Sequence, residues 1–418
     1  MNAALFSTWR QCSLGSMQPL GNRLAGRCLF STRTALRTPQ TRLPGILPKW
    51  EQPPQDSFAH KFMRIRKFRP MLFCGSFGLA TYIVCSLKTE TDTFAAATLL
   101  HQQTGRIPSS ADMWMLRERA VFQKWSTNGA ALSERLKQWP KLLAYHVGNI
   151  YVITVNSWLR AGEAKRTALK IVALNTLIFA AWKLPRLKPF MMSHFTHYAL
   201  SGKSYTMLTS VFSHATFWHL AFNSIALVSF APSAFRALFD MKRAHAEETG
   251  IQEASPLYHF LAFYVAAGLF SSLASHLAHA VRLQRFAPDL TKPGSAALAM
   301  KRLGAIRPSL GASGALYAMV MGVALCFPNT GVNIMLIPID IPIGVAVTGT
   351  VILDIMGLLR GWRTFDHVAH LGGAAFGLLY FWWDNGRIWE AFRKAAQNAR
   401  EDVAEEEEEH RISRSRKP

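Results

Sequence analysis

Residues 70–87 read PMLFCGSFGLATYIVCSL, a run without a charged side chain. A bilayer core of roughly 30 Å is crossed by about 20 mostly apolar residues in a helix. Within lipid the backbone must satisfy its own hydrogen bonds, so a chain made of such runs is confined to packed helices. Six further apolar runs lie at 167–182, 216–238, 256–281, 313–327, 341–359 and 368–383. The weakest is 167–182, which is short and holds Lys170 and Asn175. A composition of 50% hydrophobic and 17% charged residues agrees with this pattern.

The expected fold is an all-α membrane protein in which one extra transmembrane helix, about 70–87, precedes a six-helix core at 166–386. Residues 61–165 comprise that first span and a polar stretch from 88, where Trp114, Trp125, Trp139 and Trp158 are scattered along helix-like sequence outside the membrane. Residues 387–418, ending EEEEEHRISRSRKP, read as a charged, disordered tail.

The net charge of +22 fits nucleic acid, anionic lipid or a targeting leader, and its position along the chain decides between them. Arg10, Arg23, Arg27, Arg33, Arg37, Arg42 and Lys49 stand in a stretch free of Asp and Glu and rich in Ser, Thr, Leu and Ala. A leader of this kind, placed at 1–60, reads as a mitochondrial transit peptide. Membrane lipids are therefore expected as partners and nucleic acid is not. The five cysteines form no CxxC pair, so neither a disulfide framework nor a zinc site is expected. No cofactor is expected either.

Cationic loops stay on the side from which a membrane protein is inserted. Lys183, Arg186, Lys188 and Lys203 lie between the second and third runs, and Arg282, Arg285, Lys292, Lys301, Arg302 and Arg307 between the fourth and fifth. With seven spans these loops share a side with the basic N-terminus. In a mitochondrial inner membrane that puts the N-terminus in the matrix and the acidic tail in the intermembrane space.

Polar side chains inside spans are costly, which makes each a functional candidate. In LGASGALYAM, residues 310–319, Ser313 and Tyr317 share a helix face, and Gly311 and Gly314 permit a tight turn and a close backbone approach. In DHVAHLGGAAFG, residues 366–377, His370 lines up with Gly373 and Gly377 in a smooth strip suited to close packing. His367 falls at the membrane edge, where solvation is expected, and Asp366 is placed to cap the helix. In SHATFWHLAFN, residues 213–223, His219 and Asn223 share a face that His214 does not join. Neither HExxH nor GxGD occurs, which argues against metalloprotease and aspartyl chemistry.

A serine nucleophile needs a base, and acyl transfer needs donors for an oxyanion. A serine, a histidine and a His/Asn donor pair occur on three runs that begin on the basic side and lie at comparable depth. With Asp366 assigned to capping, a Ser313–His370 dyad is expected rather than a triad.

The ordered motifs H-x4-H-x3-N, G-A-S-G-x-x-Y-A and A-H-x-x-G-x-x-x-G resemble the rhomboid family of intramembrane serine proteases. The extra leading span, the transit peptide and the wording AHLGGAAFG resemble its mitochondrial, presenilin-associated rhomboid-like branch and the fungal counterparts. The resemblance covers roughly 166–386. It implies Ser313 as nucleophile, His370 as general base, Tyr317 as a platform for the imidazole, and His219, Asn223 and the Ser313 N–H as an oxyanion hole. His214 matches a family histidine of structural role. The Trp-Arg pair of many rhomboids is replaced by Tyr205 and Thr206.

The resemblance also implies cleavage of single-span mitochondrial membrane proteins, with a dynamin-like GTPase and cytochrome c peroxidase among the branch's substrates. One competing expectation is a catalytically inactive rhomboid-like protein that binds transmembrane helices. Retention of both Ser313 and His370 speaks against it. Another is a seven-span transporter or channel, for which only Asp354 offers a buried charge, and Asp354 is read as helix packing.

Overall fold

The computed structural model describes residues 67–290, 308–333, 340–362, 364–384 and 386–415. The expected leader and the loop cations Lys292, Lys301, Arg302 and Arg307 lie outside the described residues.

The first helix, α1 (Phe68–Thr104), carries the apolar run 70–87 and then continues as helix through its threonine-rich and acidic sequence. It stops at Gly105, whose left-handed φ of 70° lets its N–H bond the His101 carbonyl. A capping box opens α2 (Ser110–Leu136): Ser109 and Asp112 exchange side-chain and backbone bonds. Bonds from the Ser109 N–H and hydroxyl hold the Asp112 carboxyl below the ordinary carboxylate range. The polar stretch thus forms α2 and α3 (Lys141–Arg160), joined where the Tyr151 hydroxyl donates to the Trp125 carbonyl at 2.6 Å.

Next come α4 (Gly162–Lys183) and a 3₁₀ turn (Pro185–Leu187) leading into α5 (Lys188–His194), bent by 95° from α4. A short turn of helix, α6 (Thr206–Thr209), precedes the long helices α7 (Phe217–Thr249) and α8 (Leu257–Leu290). The central helix α9 (Ser313–Cys326) is apolar on all sides and buries Ala315, Ala318, Met319 and Val323. A hairpin of β1 (Gly331–Asn333) and β2 (Asp340–Pro342), with Val332 opposite Ile341, leads into α10 (Ile343–Arg360). Then α11 (His367–Leu378) continues through a π-helical turn (Leu379–Asp384), and α12 (Arg387–Ser415) follows.

Among the described residues the fold is therefore helical apart from one small hairpin that the hydrophobic pattern does not announce. Among the described residues, α1, α7, α8 and α10 are long and apolar enough to cross a membrane, and the bent pair α4–α5 makes up to five. The run at 313–327 is a helix of 14 residues and that at 368–383 is shared between a helix and a π turn, so neither qualifies on its own.

One expectation is corrected outright. Residues 387–415 are helix rather than disordered tail. Trp389, Arg393 and Ala396 recur at spacings of four and three and form a buried stripe. Arg393 bonds Glu90 of α1 at 2.9 Å and Glu253 at 3.0 Å, Arg400 reaches Glu90 at 2.9 Å, and Lys242 pairs with Glu253 and Glu390. The Trp389 indole donates to Glu253 at 2.7 Å and stacks on His259. The charged residues around this stripe and the acidic run that follows hide it in the hydropathy pattern.

Candidate active site

Ser313 is the first residue of α9 and His370 stands one turn into α11. Two glycines bring these helices into backbone contact. A Cβ on Gly373 would overlap the Gly314 carbonyl, and one on Gly377 the Ala318 carbonyl. At this separation His370 Nε2 lies 2.8 Å from the Ser313 hydroxyl. The imidazole is buried and stacked on the Tyr317 ring, with centroids 4.4 Å apart and planes 13° from parallel. Ser271 of α8 ties the pair from below by donating to the Ala369 carbonyl at 2.7 Å, beside the bare Cα of Gly314.

The turn before Ser313 is built around Gly311. Its φ of 126° is open to glycine, and a Cβ there would meet the His219 ring at 2.5 Å. Gly311 donates to the Ser210 carbonyl at 2.9 Å, and the Ala312 N–H reaches His214 Nε2 at 3.4 Å. His214 is fully buried and edge-on to His219. Burial, followed by the neighbouring His219, pushes its pKa down to about 3, so it is a neutral acceptor. His214, His219 and the nucleophile turn therefore form one packed unit.

Asn223 is buried one turn beyond His219 and its amide nitrogen donates to the His219 carbonyl at 2.7 Å. A carboxamide nitrogen carries two hydrogens, so one N–H is committed to the helix and one is left for another acceptor.

The carboxylate at His370 departs from expectation. Asp366 caps α11 through the Ala369 N–H at 3.0 Å and accepts from Ser275 at 2.7 Å, as its position predicts. Asp354 of α10, read from sequence as helix packing, accepts instead from His370 Nδ1 at 3.2 Å. The same oxygen, Oδ1, accepts from His367 Nδ1 at 2.6 Å. His367, expected to be solvated, is buried, and its ring occupies the space that a Cβ on Gly357 would fill. The expected dyad is thus a chain of four side chains, Ser313, His370, Asp354 and His367. The signal that could have found it is an aspartate within an otherwise apolar run.

Tyr205 and Thr206 anchor the loop before α6. The Tyr205 hydroxyl bonds His194 Nδ1 at 2.6 Å, and Thr206, fully buried, donates to the Lys203 carbonyl at 2.6 Å. Thr206 then accepts from His197 Nδ1 at 2.9 Å, leaving His197 Nε2 to accept from His276 Nδ1 at 3.0 Å. His197 also pairs through its backbone with Ser309, so this loop is tied to the segment entering the nucleophile turn. No group of three or more His, Cys, Asp or Glu side chains among the described residues is placed to hold a metal ion.

Residues 201–386, which hold Ser313, His370, Asp354, His367, His214, His219 and Asn223, match the family description "Rhomboid domain". The chain carries a rhomboid domain. The chain is 31% identical over 255 residues to presenilin-associated rhomboid-like protein A, mitochondrial, of Danio rerio, covering 60% of this chain and 57% of the relative. It is 31% identical over 234 residues to the Homo sapiens presenilin-associated rhomboid-like protein, mitochondrial, covering 56% and 52%. It is 30% identical over 224 residues to rhomboid protein 1, mitochondrial, of Saccharomyces cerevisiae, covering 52% and 53%. The chain spans a little over half the length of these curated relatives. No solved structure matches it.

Proposed function

We propose that this protein is an intramembrane serine protease of the mitochondrial inner membrane, hydrolysing peptide bonds in or near the single transmembrane helices of its substrates. The observation that carries the reading is the 2.8 Å contact between the Ser313 hydroxyl and His370 Nε2. The Asp354 carboxylate only accepts, so His370 bears its proton on Nδ1 and presents a lone pair to the hydroxyl. The Ser313 oxygen attacks the scissile carbonyl as Nε2 takes its proton, and the imidazolium later returns a proton to the leaving amine.

The developing oxyanion is met by the Ser313 N–H, which stands in the first turn of α9 and has no helical carbonyl to receive it. The His219 ring and the second amide N–H of Asn223 complete the donor set. A peptide bond in a membrane helix is shielded by its own hydrogen bonds, so substrates are helices that unwind locally near Ser313. Tyr317 stacks on His370 and holds the ring in plane for both transfers.

The mitochondrial names of the relatives and the apolar helices support a mitochondrial membrane protein. A one-plus-six arrangement, N-terminus in the matrix and C-terminus in the intermembrane space, is supported by the exposed cations Lys183, Arg186 and Lys188 on the side where α7, α9 and α11 begin. The test is cleavage of a fusion bearing one spanning helix by the purified full chain. Wild type should cleave, Ser313→Ala and His370→Ala should not, and persistent cleavage by Ser313→Ala overturns the reading.

A further inference from the structure

Two imidazoles converge on one oxygen of Asp354, and the shorter contact belongs to the histidine that does not touch Ser313. His367 and His370 are three apart on α11 and so share the face turned to α10. Space for the second ring is made by Gly357, one turn beyond Asp354 on α10, where any Cβ would collide with the His367 ring. The His367 Nε2 is buried without a hydrogen-bond partner. A buried nitrogen left unpaired carries a cost, and an apolar side chain would fill the site without it. What His367 contributes in return is a single N–H aimed at the carboxylate.

From this geometry we infer that His367 is a positioning residue for the proposed proteolysis, fixing the Asp354 carboxylate so that Oδ1 meets His370 Nδ1; this rests on the serine-protease reading above. Without His367 the carboxylate keeps the 3.2 Å bond to His370 and an interaction with the Tyr317 hydroxyl, which hold its last torsion loosely. The 2.6 Å bond from His367 removes the remaining freedom. The same N–H also spreads the anion's charge over a further donor, which moderates how strongly Asp354 favours imidazolium at His370. His367 thereby acts on both the alignment of the base and the ease with which it gives its proton up.

Several other groups face His370. Ser313 and Tyr317 are on α9, Asp354 on α10, His219 on α7, and Asp366 lies one turn earlier on its own helix. The Phe365 ring also borders both imidazoles, but among the described residues only Asp354 is hydrogen-bonded to both, so a change at His367 reaches His370 chiefly through that carboxylate.

The test uses the full chain in detergent with the spanning-helix fusion, active sites being titrated with a fluorophosphonate so that rates refer to folded enzyme. His367→Leu should lower kcat by about ten- to a hundredfold, part of the roughly 10²–10⁴ that a general base contributes, with KM unchanged. The acid limb of its kcat profile should move to higher pH, because Asp354 then serves one imidazole in place of two. His367→Asn, whose amide nitrogen can replace Nδ1–H, should recover most of the rate. In an Asp354→Asn background His367→Leu should cost little more.

Unchanged kcat and pH profile in His367→Leu, full additivity with Asp354→Asn, or a loss confined to the titrated fraction overturns the inference while leaving the protease reading intact. Absence of cleavage by wild type, or cleavage that survives Ser313→Ala, overturns both. Should His367→Leu not fold, His367→Asn against His367→Gln carries the comparison. Equal rates and pH profiles in those two variants contradict a role that depends on where the N–H is placed.

Discussion

His370 Nδ1 lies 3.2 Å from Asp354 Oδ1 while its Nε2 lies 2.8 Å from the Ser313 hydroxyl. Carboxylate, imidazole and hydroxyl thus form a relay on three helices. Asp354→Asn offers a donor where His370 needs an acceptor and so favours the wrong tautomer. We predict a fall in kcat of about two to four orders of magnitude with little change in KM, read from initial rates of fusion cleavage.

The contact between α9 and α11 depends on missing side chains. Gly373→Ala forces a Cβ into the Gly314 carbonyl and must part the helices or shift one along the other. We predict a destabilisation of about 1–3 kcal/mol in denaturant unfolding in detergent, together with loss of cleavage, since the Ser313–His370 distance is set by this contact. Gly349→Ala on α10, where nothing lies within 4 Å of the added carbon, should change neither.

Two buried imidazoles outside the spans make stability depend on pH. Burial pushes His197 down to about 3, helped by the adjacent His276, and His214 likewise to about 3. The unfolded chain titrates these groups near 6.5, so between those values it binds more protons than the folded one. Stability is therefore complete above pH ~6.5 and falls as the pH drops toward about 3. We predict a loss of about 1 kcal/mol per histidine between pH ~7.5 and ~5.5, measured by thermal unfolding in detergent. His214→Gln keeps an acceptor for the Ala312 N–H and should flatten the dependence.

The docked C-terminal helix makes a further prediction. Arg393→Leu leaves Glu90 and Glu253 facing one another's surroundings without the cation that joins them. We expect a loss of about 3–5 kcal/mol, as for other buried ion pairs broken on one side. Among the described residues, truncation after Val403 removes exposed helix, and it should leave the unfolding midpoint within error.

Much of the site was legible in residue order. Ser313, Tyr317 and His370 carry their own signals, because glycines flank the serine and continue in line from the histidine, and such spacing reports which helices touch. Asp354 and His367 were misread because each has an innocent local explanation, packing for one and a wet helix end for the other. Only the antiparallel meeting of α10 and α11 puts them together, and periodicity within a single helix carries no record of its neighbour. The fold divides in the same way. Long apolar runs announced α1, α7, α8 and α10, whereas the stripe of Trp389, Arg393 and Ala396 was hidden by the charges around it. Arg393 counts as polar in a hydropathy pattern and as core once Glu90 and Glu253 surround it.

The central claim is that Ser313 is a nucleophile made reactive by His370. Its most direct measurement is mass-spectrometric mapping of a fluorophosphonate adduct on the purified full chain, comparing wild type with His370→Ala. The account predicts a single adduct on Ser313 that is lost in His370→Ala. An adduct on another residue, or undiminished labelling of Ser313 without the imidazole, contradicts it.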